Sequence, residues 1–240
     1  MEDGRLNILA VDTSGPVAGC AVMRDGKIAY TAAIRVGLTH SQTILPAVDT
    51  ALQAVDLRME DMDVFAAVTG PGSFTGVRIG VCMVKGFAHA VGKPCCAVNA
   101  LEALAMNAAG FDGLVCPILD ARRGQVYCAA FDVSSGRPVR ALEDAALPLE
   151  VFLQKLPEGK GLAFVGDGVP VHGEAIQSAM GDCALLFPPN LYDLRADAAC
   201  VLASERVDSW VDGARLSPYY LRAPQAERER AERLRGEARS

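Results

Sequence analysis

Thr69-Gly70-Pro71-Gly72-Ser73-Phe74-Thr75-Gly76-Val77-Arg78-Ile79-Gly80 joins an apolar strand-like run to a long apolar helix-like run. Glycine and proline turn the chain sharply here. Ser73 and Thr75 are placed to cap a helix whose free N–H groups and positive dipole end point back at the loop. The geometry suits an anion. A P-loop would need a Lys-Ser/Thr pair directly after the last glycine of its turn, whereas Val77-Arg78 follows Gly76. Lys85 lies roughly 10–15 Å further along the helix, too far to clamp the same phosphate. A P-loop NTPase is thereby excluded. Two readings stay open: a nucleotide loop of another superfamily, or a glycine turn that packs a helix against a sheet.

A chain of 240 residues that is 51% apolar can fill a sizeable core. No run reaches the ~18–20 apolar residues of a membrane span. The opening Met1-Glu2-Asp3-Gly4-Arg5 lacks a secretory pattern, so the mature chain is expected to begin at its own first strand, in the cytoplasm. Several of the eight cysteines sit inside apolar runs and read as small buried hydrophobes of a reducing compartment. With no Cys-x-x-Cys pair and three scattered histidines, no metal site is expected. The net charge of −6 is the wrong sign for a chain that grips a nucleic-acid backbone unaided. Any nucleic-acid role is expected to be borrowed from a partner.

Working outward from the glycine stretch, Leu6 to Val11 reads as a buried strand ending at Asp12-Thr13-Ser14-Gly15. Val17 to Met23 and Lys27 to Ala33 are strands joined by Arg24-Asp25-Gly26. Thr39-His40-Ser41-Gln42 fits a capping box for a helix carrying Ile44, Leu45, Val48, Leu52 and Val55, which Pro46 should kink or delay. A strand from Asp63 to Val68, a helix from about Thr75 to Val91, a strand Cys95 to Val98 and a helix from Asn99 to Ala109 complete this half.

From Gly113 the pattern restarts. Strands Leu114 to Leu119, Gln125 to Phe131 and Arg137 to Leu142 have an acid turn, Asp120-Ala121-Arg122-Arg123-Gly124, after the first. A short helix at 149–156, a strand Leu162 to Val165 ending in Gly166-Asp167-Gly168 and a helix near 171–180 follow. Internal duplication is the expected architecture: an N-terminal lobe over residues 1–110, a C-terminal lobe over 111–222 closed by a helix from Arg195 to Trp210, and a charged tail, 223–240. The tail alternates Glu and Arg and reads as a solvated extension.

Asp12-Thr13-Ser14, His40-Ser41-Gln42-x-x-Leu45-Pro46, the motif Gly70 to Gly80 and Asp120-Ala121-Arg122-Arg123-Gly124-x-Val126-Tyr127 occur in that order. Together they resemble the bacterial TsaB family, also called YeaZ. The resemblance implies an α/β, duplicated actin-like ATPase fold (ASKHA, ribonuclease H-like), with two lobes of mixed sheets flanked by helices. It also implies work in making threonylcarbamoyladenosine in tRNA, as dimer partner of a TsaD-like transferase and alongside a TsaE-like ATPase. TsaD-like relatives carry a His-x-x-x-His metal pair on the first helix; here His40 is followed by Ile44, which offers no lone pair. The chain therefore resembles the non-catalytic paralogue, with no tightly bound cofactor and ATP or ADP confined to an interface of the complex.

The resemblance further implies that the helices at 43–56 and 75–91 form a four-helix contact with TsaD or, when the chain is alone, with a second copy. Expected interface residues are Leu45, Val48, Leu52, Gly76, Ile79, Gly80, Met83, Val84 and Phe87. The second helix is apolar nearly all round, which suits a partner on its far side but also burial within one subunit. A bulky residue at Gly80, or Asp at Phe87, is expected to abolish partner binding and spare the fold. Candidate anion- or nucleotide-binding residues are Asp12, Ser14, Gly72, Ser73, Thr75, Arg78 and Asp120, with a local Asx turn the plainer role for Asp12 and a cap or interface role for His40. Arg78, in the first helical turn, opposes the helix dipole and is expected to face something acidic. The rival from another class is a stand-alone ATP-dependent transferase or kinase using Asp12 and Asp120 around a magnesium nucleotide.

Overall fold

In the computed structural model, which describes residues 6–222, the chain forms two five-stranded sheets. The first contains β1 (Ile8–Asp12), β2 (Ala18–Arg24), β3 (Lys27–Ile34), β4 (Val64–Gly70) and β5 (Cys95–Asn99) in the order β3-β2-β1-β4-β5. The second contains β6 (Leu114–Asp120), β7 (Gln125–Asp132), β8 (Val139–Pro148), β9 (Leu162–Val165) and β10 (Ala184–Leu186) in the order β10-β9-β6-β7-β8. Read from the other edge, the second order is the first repeated. In both sheets the first three strands pair antiparallel and the last two join in parallel. The expected duplication is thus present in the strand order.

The central strands β1 and β4 are buried along their whole length, as an unbroken apolar run covered on both faces requires. Alternate residues divide between two cores. Leu9 and Val11 point to α1 (His40–Ala54) and α2 (Phe74–Val91) on the outer face. Ile8 and Ala10 point to α3 (Ala100–Ala105) and α6 (Ala196–Ser204), sandwiched between the two sheets. The outer face of the second sheet is covered by α4 (Leu149–Leu153) and α5 (Val169–Met180).

Several expectations are adjusted. Pro46 neither delays nor ends α1, which begins at His40 behind Thr39, whose N–H donates to Gln42 Oε1 at 3.1 Å. The helix after Asn99 stops at Ala105; Asn99 Oδ1 accepts from the Glu102 N–H, while the Glu102 carboxylate pairs with Arg206. The last helix stops at Ser204, and Trp210 Nε1 donates to the Ala203 carbonyl near its end. The stretch assigned to a C-terminal lobe also divides, because α6 packs on the first sheet and the chain stays there: Val211 bridges Cys95, and the Tyr219 N–H donates to the Thr69 carbonyl. Strand β10 is too short to leave a periodic signal. The expected solvated tail lies outside the described residues.

Six cysteines are buried, with Cys82 and Cys183 exposed. Burial pushes the Cys20 and Cys95 thiols up to about 11, so they are packing groups. No described helix is long and apolar enough to cross a membrane.

Candidate functional site

The glycine stretch folds onto the first acid turn. The Ser73 N–H donates to the Ser14 carbonyl at 2.7 Å, and Thr13 Oγ1 donates to the Gly76 carbonyl at 2.7 Å. A Cβ at Gly72 would overlap the Ser14 carbonyl, one at Gly76 the Thr13 carbonyl, and one at Gly80 would lie 2.5 Å from Thr13 Oγ1. These glycines let α2 sit directly on the β1 turn. Ser73 Oγ caps the helix by accepting from the Gly76 N–H at 3.2 Å.

Between the sheets this junction faces the second acid turn across a cleft of about 660 Å³. Five of the seven predicted anion-site residues line it: Ser14, Gly72, Ser73, Thr75 and Asp120. Asp12 lies deeper, only 2% exposed, with its Oδ1 accepting the Ser14 N–H at 2.8 Å in an Asx turn. Desolvation raises its carboxyl to about 6, against the opposing pull of the Ser14 hydrogen bonds. Asp120 makes the equivalent turn, accepting the Arg122 N–H at 2.9 Å, and its own N–H donates to Asp167 Oδ1 at 2.9 Å. Burial raises the Asp167 carboxyl, and the Asp120 charge adds to that. The cleft is therefore lined by two acids, Asp120 and Asp167, and by two arginines, Arg122 and Arg222.

Arg78 departs from its expected role. Its guanidinium lies over the Phe74 ring, 3.8 Å from the centroid, and its Nε donates to the Tyr220 hydroxyl at 2.8 Å; Phe74 and Tyr220 stack at 4.9 Å. Aromatic faces, in place of a carboxylate, satisfy the cation. The C-terminal segment that supplies Tyr220 straps the cleft mouth and reaches the second acid turn through Arg222, which donates to the Ala121 carbonyl at 3.2 Å. Residue types alone carried no signal for this strap, because its partners lie a hundred or more positions away. His40 is occupied locally, its Nε2 2.9 Å from the Gly15 carbonyl, and Ile44 is fully buried.

The expected interface residues divide by burial. Val48, Leu52, Gly76, Gly80 and Val84 face the sheet and are buried within their own chain, so they are not available to a partner. Ile79, Met83 and Phe87 are half-buried, Phe87 packing against Phe65 with ring centroids 6.0 Å apart. Leu45 is 51% exposed. Gly80 and Phe87 both contact the core, so a bulky residue at the first or Asp at the second would disturb packing within the chain as well as its outward face. The outward side of the helix pair presents Leu45 with Cys82, Gly86 and Ala90; Gly86 faces open space. Val36 and Leu38, just ahead of α1, are 61% and 60% exposed.

Residues 35–228 match the family model described as TsaD, tRNA N6-adenosine threonylcarbamoyltransferase. The chain is 34% identical over 223 residues to the tRNA threonylcarbamoyladenosine biosynthesis protein TsaB of Bacillus subtilis, covering 92% of this chain and 96% of the relative. The chain belongs to the TsaB family. The structure of YeaZ from Pseudomonas aeruginosa superimposes with a TM-score of 0.76 at 25% identity, over 90% of this chain and all of the other. A more distant likeness, TM-score 0.52 at 13% identity over 85% of this chain and 99% of the other, is to component A of (R)-2-hydroxyglutaryl-CoA dehydratase from Acidaminococcus fermentans, and concerns the fold alone. The TsaB family assignment and the paired sheets together give the duplicated actin-like fold that the sequence implied.

Proposed function

We propose that this chain is a non-catalytic subunit of the assembly that makes threonylcarbamoyladenosine in tRNA, docking a TsaD-like transferase through the outward faces of α1 and α2. The observation that carries the reading is end-to-end relatedness to a TsaB protein. Local chemistry supports it. On the helix where a transferase would present a histidine pair, His40 contacts a backbone carbonyl and Ile44 is packed in the core. The exposed Leu45, the small residues Gly86 and Ala90, and the half-buried Ile79 and Met83 suit close approach by another helix pair.

Docking on this face acts by population shift: it favours whichever partner conformation binds the helix pair better. A TsaE-like ATPase and tRNA join through the complex, ATP or ADP belongs to an interface of the complex, and without its partner the chain closes a two-fold homodimer through the same helices. Co-elution of the purified chain with a TsaD-like protein on gel filtration tests this.

The cleft lined by Asp120 and Asp167 favours one second reading, an ATP-dependent transferase or kinase acting alone. ATP hydrolysis by the purified chain, with turnover at micromolar nucleotide, would establish it and remove the scaffold reading.

A further inference from the structure

The turn between β6 and β7 is built against local preference. Arg122, Arg123 and Gly124 are all left-handed, with φ of 63°, 56° and 69°. The Gln125 N–H donates to the Arg122 carbonyl at 3.2 Å, so Arg123 and Gly124 are the central pair of a tight hairpin turn of the kind that favours Asn-Gly or Asp-Gly. The β2–β3 hairpin follows that rule, with Asp25 at φ 50° and Gly26 at 75°. Left-handed backbone is disfavoured for a residue with a long side chain. Here two adjacent arginines adopt it, Arg122 lining the cleft and Arg123 next to it in the turn.

Arg222 reaches the same hairpin through the Ala121 carbonyl. Among the described residues, none of Arg122, Arg123 and Arg222 is ion-paired with a carboxylate. Arg122 and Arg222 share the cleft lining with Tyr219 and Tyr220, which are 40% and 39% exposed; Tyr219 lies near the Asp144 carboxylate, and Tyr220 is held by Arg78 with one face stacked on Phe74. The carboxylates of Asp120, itself exposed and bonded to the Arg122 N–H, and Asp167 line the same cleft and oppose entry by a polyanion, so a phosphate is met by the guanidiniums outside it.

We propose that the β6–β7 hairpin, Arg222 and the Tyr219–Tyr220 strap form a contact surface for single-stranded RNA, the guanidiniums meeting backbone phosphates and the exposed tyrosine faces accepting unstacked bases. Guanidiniums beside exposed aromatic rings are the combination that binds splayed single strands; a duplex keeps its bases stacked and offers them no π-face. The inference rests on the tRNA-modification reading and adds a direct role for this chain within it. The overall charge of −6 keeps binding by the isolated chain weak, so it is read at low salt.

The test is an NMR titration of the full chain with three probes: an RNA stem-loop, a blunt RNA duplex of equal length, and ADP. The stem-loop shifts the amide signals of residues 122–124 and 219–222, and the duplex binds at least several-fold more weakly. Arg122→Asn combined with Arg123→Asn weakens stem-loop binding at least 10-fold and flattens the slope of log affinity against log salt by about 1.4, the loss of two single-strand phosphate contacts. Tyr220→Ala weakens it about 5- to 100-fold. The double variant melts about 1–4 °C higher, since Asn tolerates the left-handed turn; a lower melting temperature makes the arginines structural and overturns the proposal. ADP shifting these signals while the stem-loop does not, or undiminished RNA binding by the double variant, also overturns it. Partner capture is measured separately. Its failure with RNA binding intact removes the assembly reading, and the reverse result removes this one.

Discussion

Two glycines on α2, Gly80 and Gly86, are predicted to respond to alanine with opposite signs. Glycine inside a helix costs roughly 0.5–1 kcal/mol relative to alanine. At Gly86 nothing lies within 4 Å of an added Cβ, so Gly86→Ala should recover that amount. At Gly80 the added Cβ lies 2.5 Å from Thr13 Oγ1 and 3.7 Å from Val11 Cγ1. Thr13 is fully buried, and its hydroxyl donates to the Gly76 carbonyl, so rotating away leaves a buried donor unsatisfied at about 1–3 kcal/mol. Staying put forces the helix off the sheet at the typical ~1–3 kcal/mol of overpacking. After the helix gain of about 0.5–1 kcal/mol is set against a cost of about 1–3 kcal/mol by either route, Gly80→Ala should destabilise by about 1–2 kcal/mol, the middle of the resulting range. For a domain of this size that lowers the melting temperature by roughly 2–8 °C, whereas Gly86→Ala raises it by about 1–4 °C. Urea denaturation at constant m-value, with thermal melts, reads both. A neutral or stabilising Gly80→Ala would refute the claim that this glycine seats α2 on the first acid turn.

Three further outcomes follow from the same geometry. Asp12 holds a proton in the folded state up to about pH 6, above its ordinary value of 3.8, so its contribution is fully present below pH 3.8 and lost as pH rises through 6. Asp12→Asn, which keeps the acceptor for the Ser14 N–H, should remove that fall and stabilise the protein at pH 7 by up to about 3 kcal/mol; identical pH–stability curves for the two proteins would contradict it. Asp144, whose side chain is 5% exposed and which bonds both Arg140 and Asn99, ties β8 to the N-cap of α3. Asp144→Ala should cost roughly 1–3 kcal/mol in denaturant titrations by removing the acceptor of the Asn99 amide and leaving Arg140 only its longer pair with Glu143 at 3.9 Å. Arg78→Ala removes the cation from Phe74 and Tyr220 and should speed hydrogen exchange across residues 216–222 by about 2- to 30-fold, with little change elsewhere.

Where a signal is local, the sequence was readable. Leu162 to Val165 stands as a strand with the expected bounds, and the Asp12-Thr13-Ser14 and Asp120-Ala121-Arg122 turns are Asx turns because a carboxylate two residues before an N–H can close one anywhere. What failed depended on contacts distant in sequence. A helix as apolar as α2 does not say which side meets its sheet, so Gly76, Gly80 and Val84, which point in, are not distinguished by pattern from the outward Gly86. Arg78 called for a counter-group, but nothing in the sequence selects Phe74 and Tyr220 over an acid. The return of α6 to the first sheet reflects the duplication itself: each half lends a helix to the layer between the sheets, which strand order alone leaves unspecified.

The central claim is that the outward faces of α1 and α2 receive a TsaD-like transferase. Leu45→Glu and Gly86→Trp alter that face where Leu45 is 51% exposed and Gly86 has open space around it, so both variants should melt within about 2 °C of the parent. Each should be run on gel filtration beside the unaltered chain, mixed with the TsaD-like protein of the same organism. The account predicts that the unaltered chain co-elutes with that protein and that both folded variants elute alone; co-elution of the variants, or none by the unaltered chain, would contradict it.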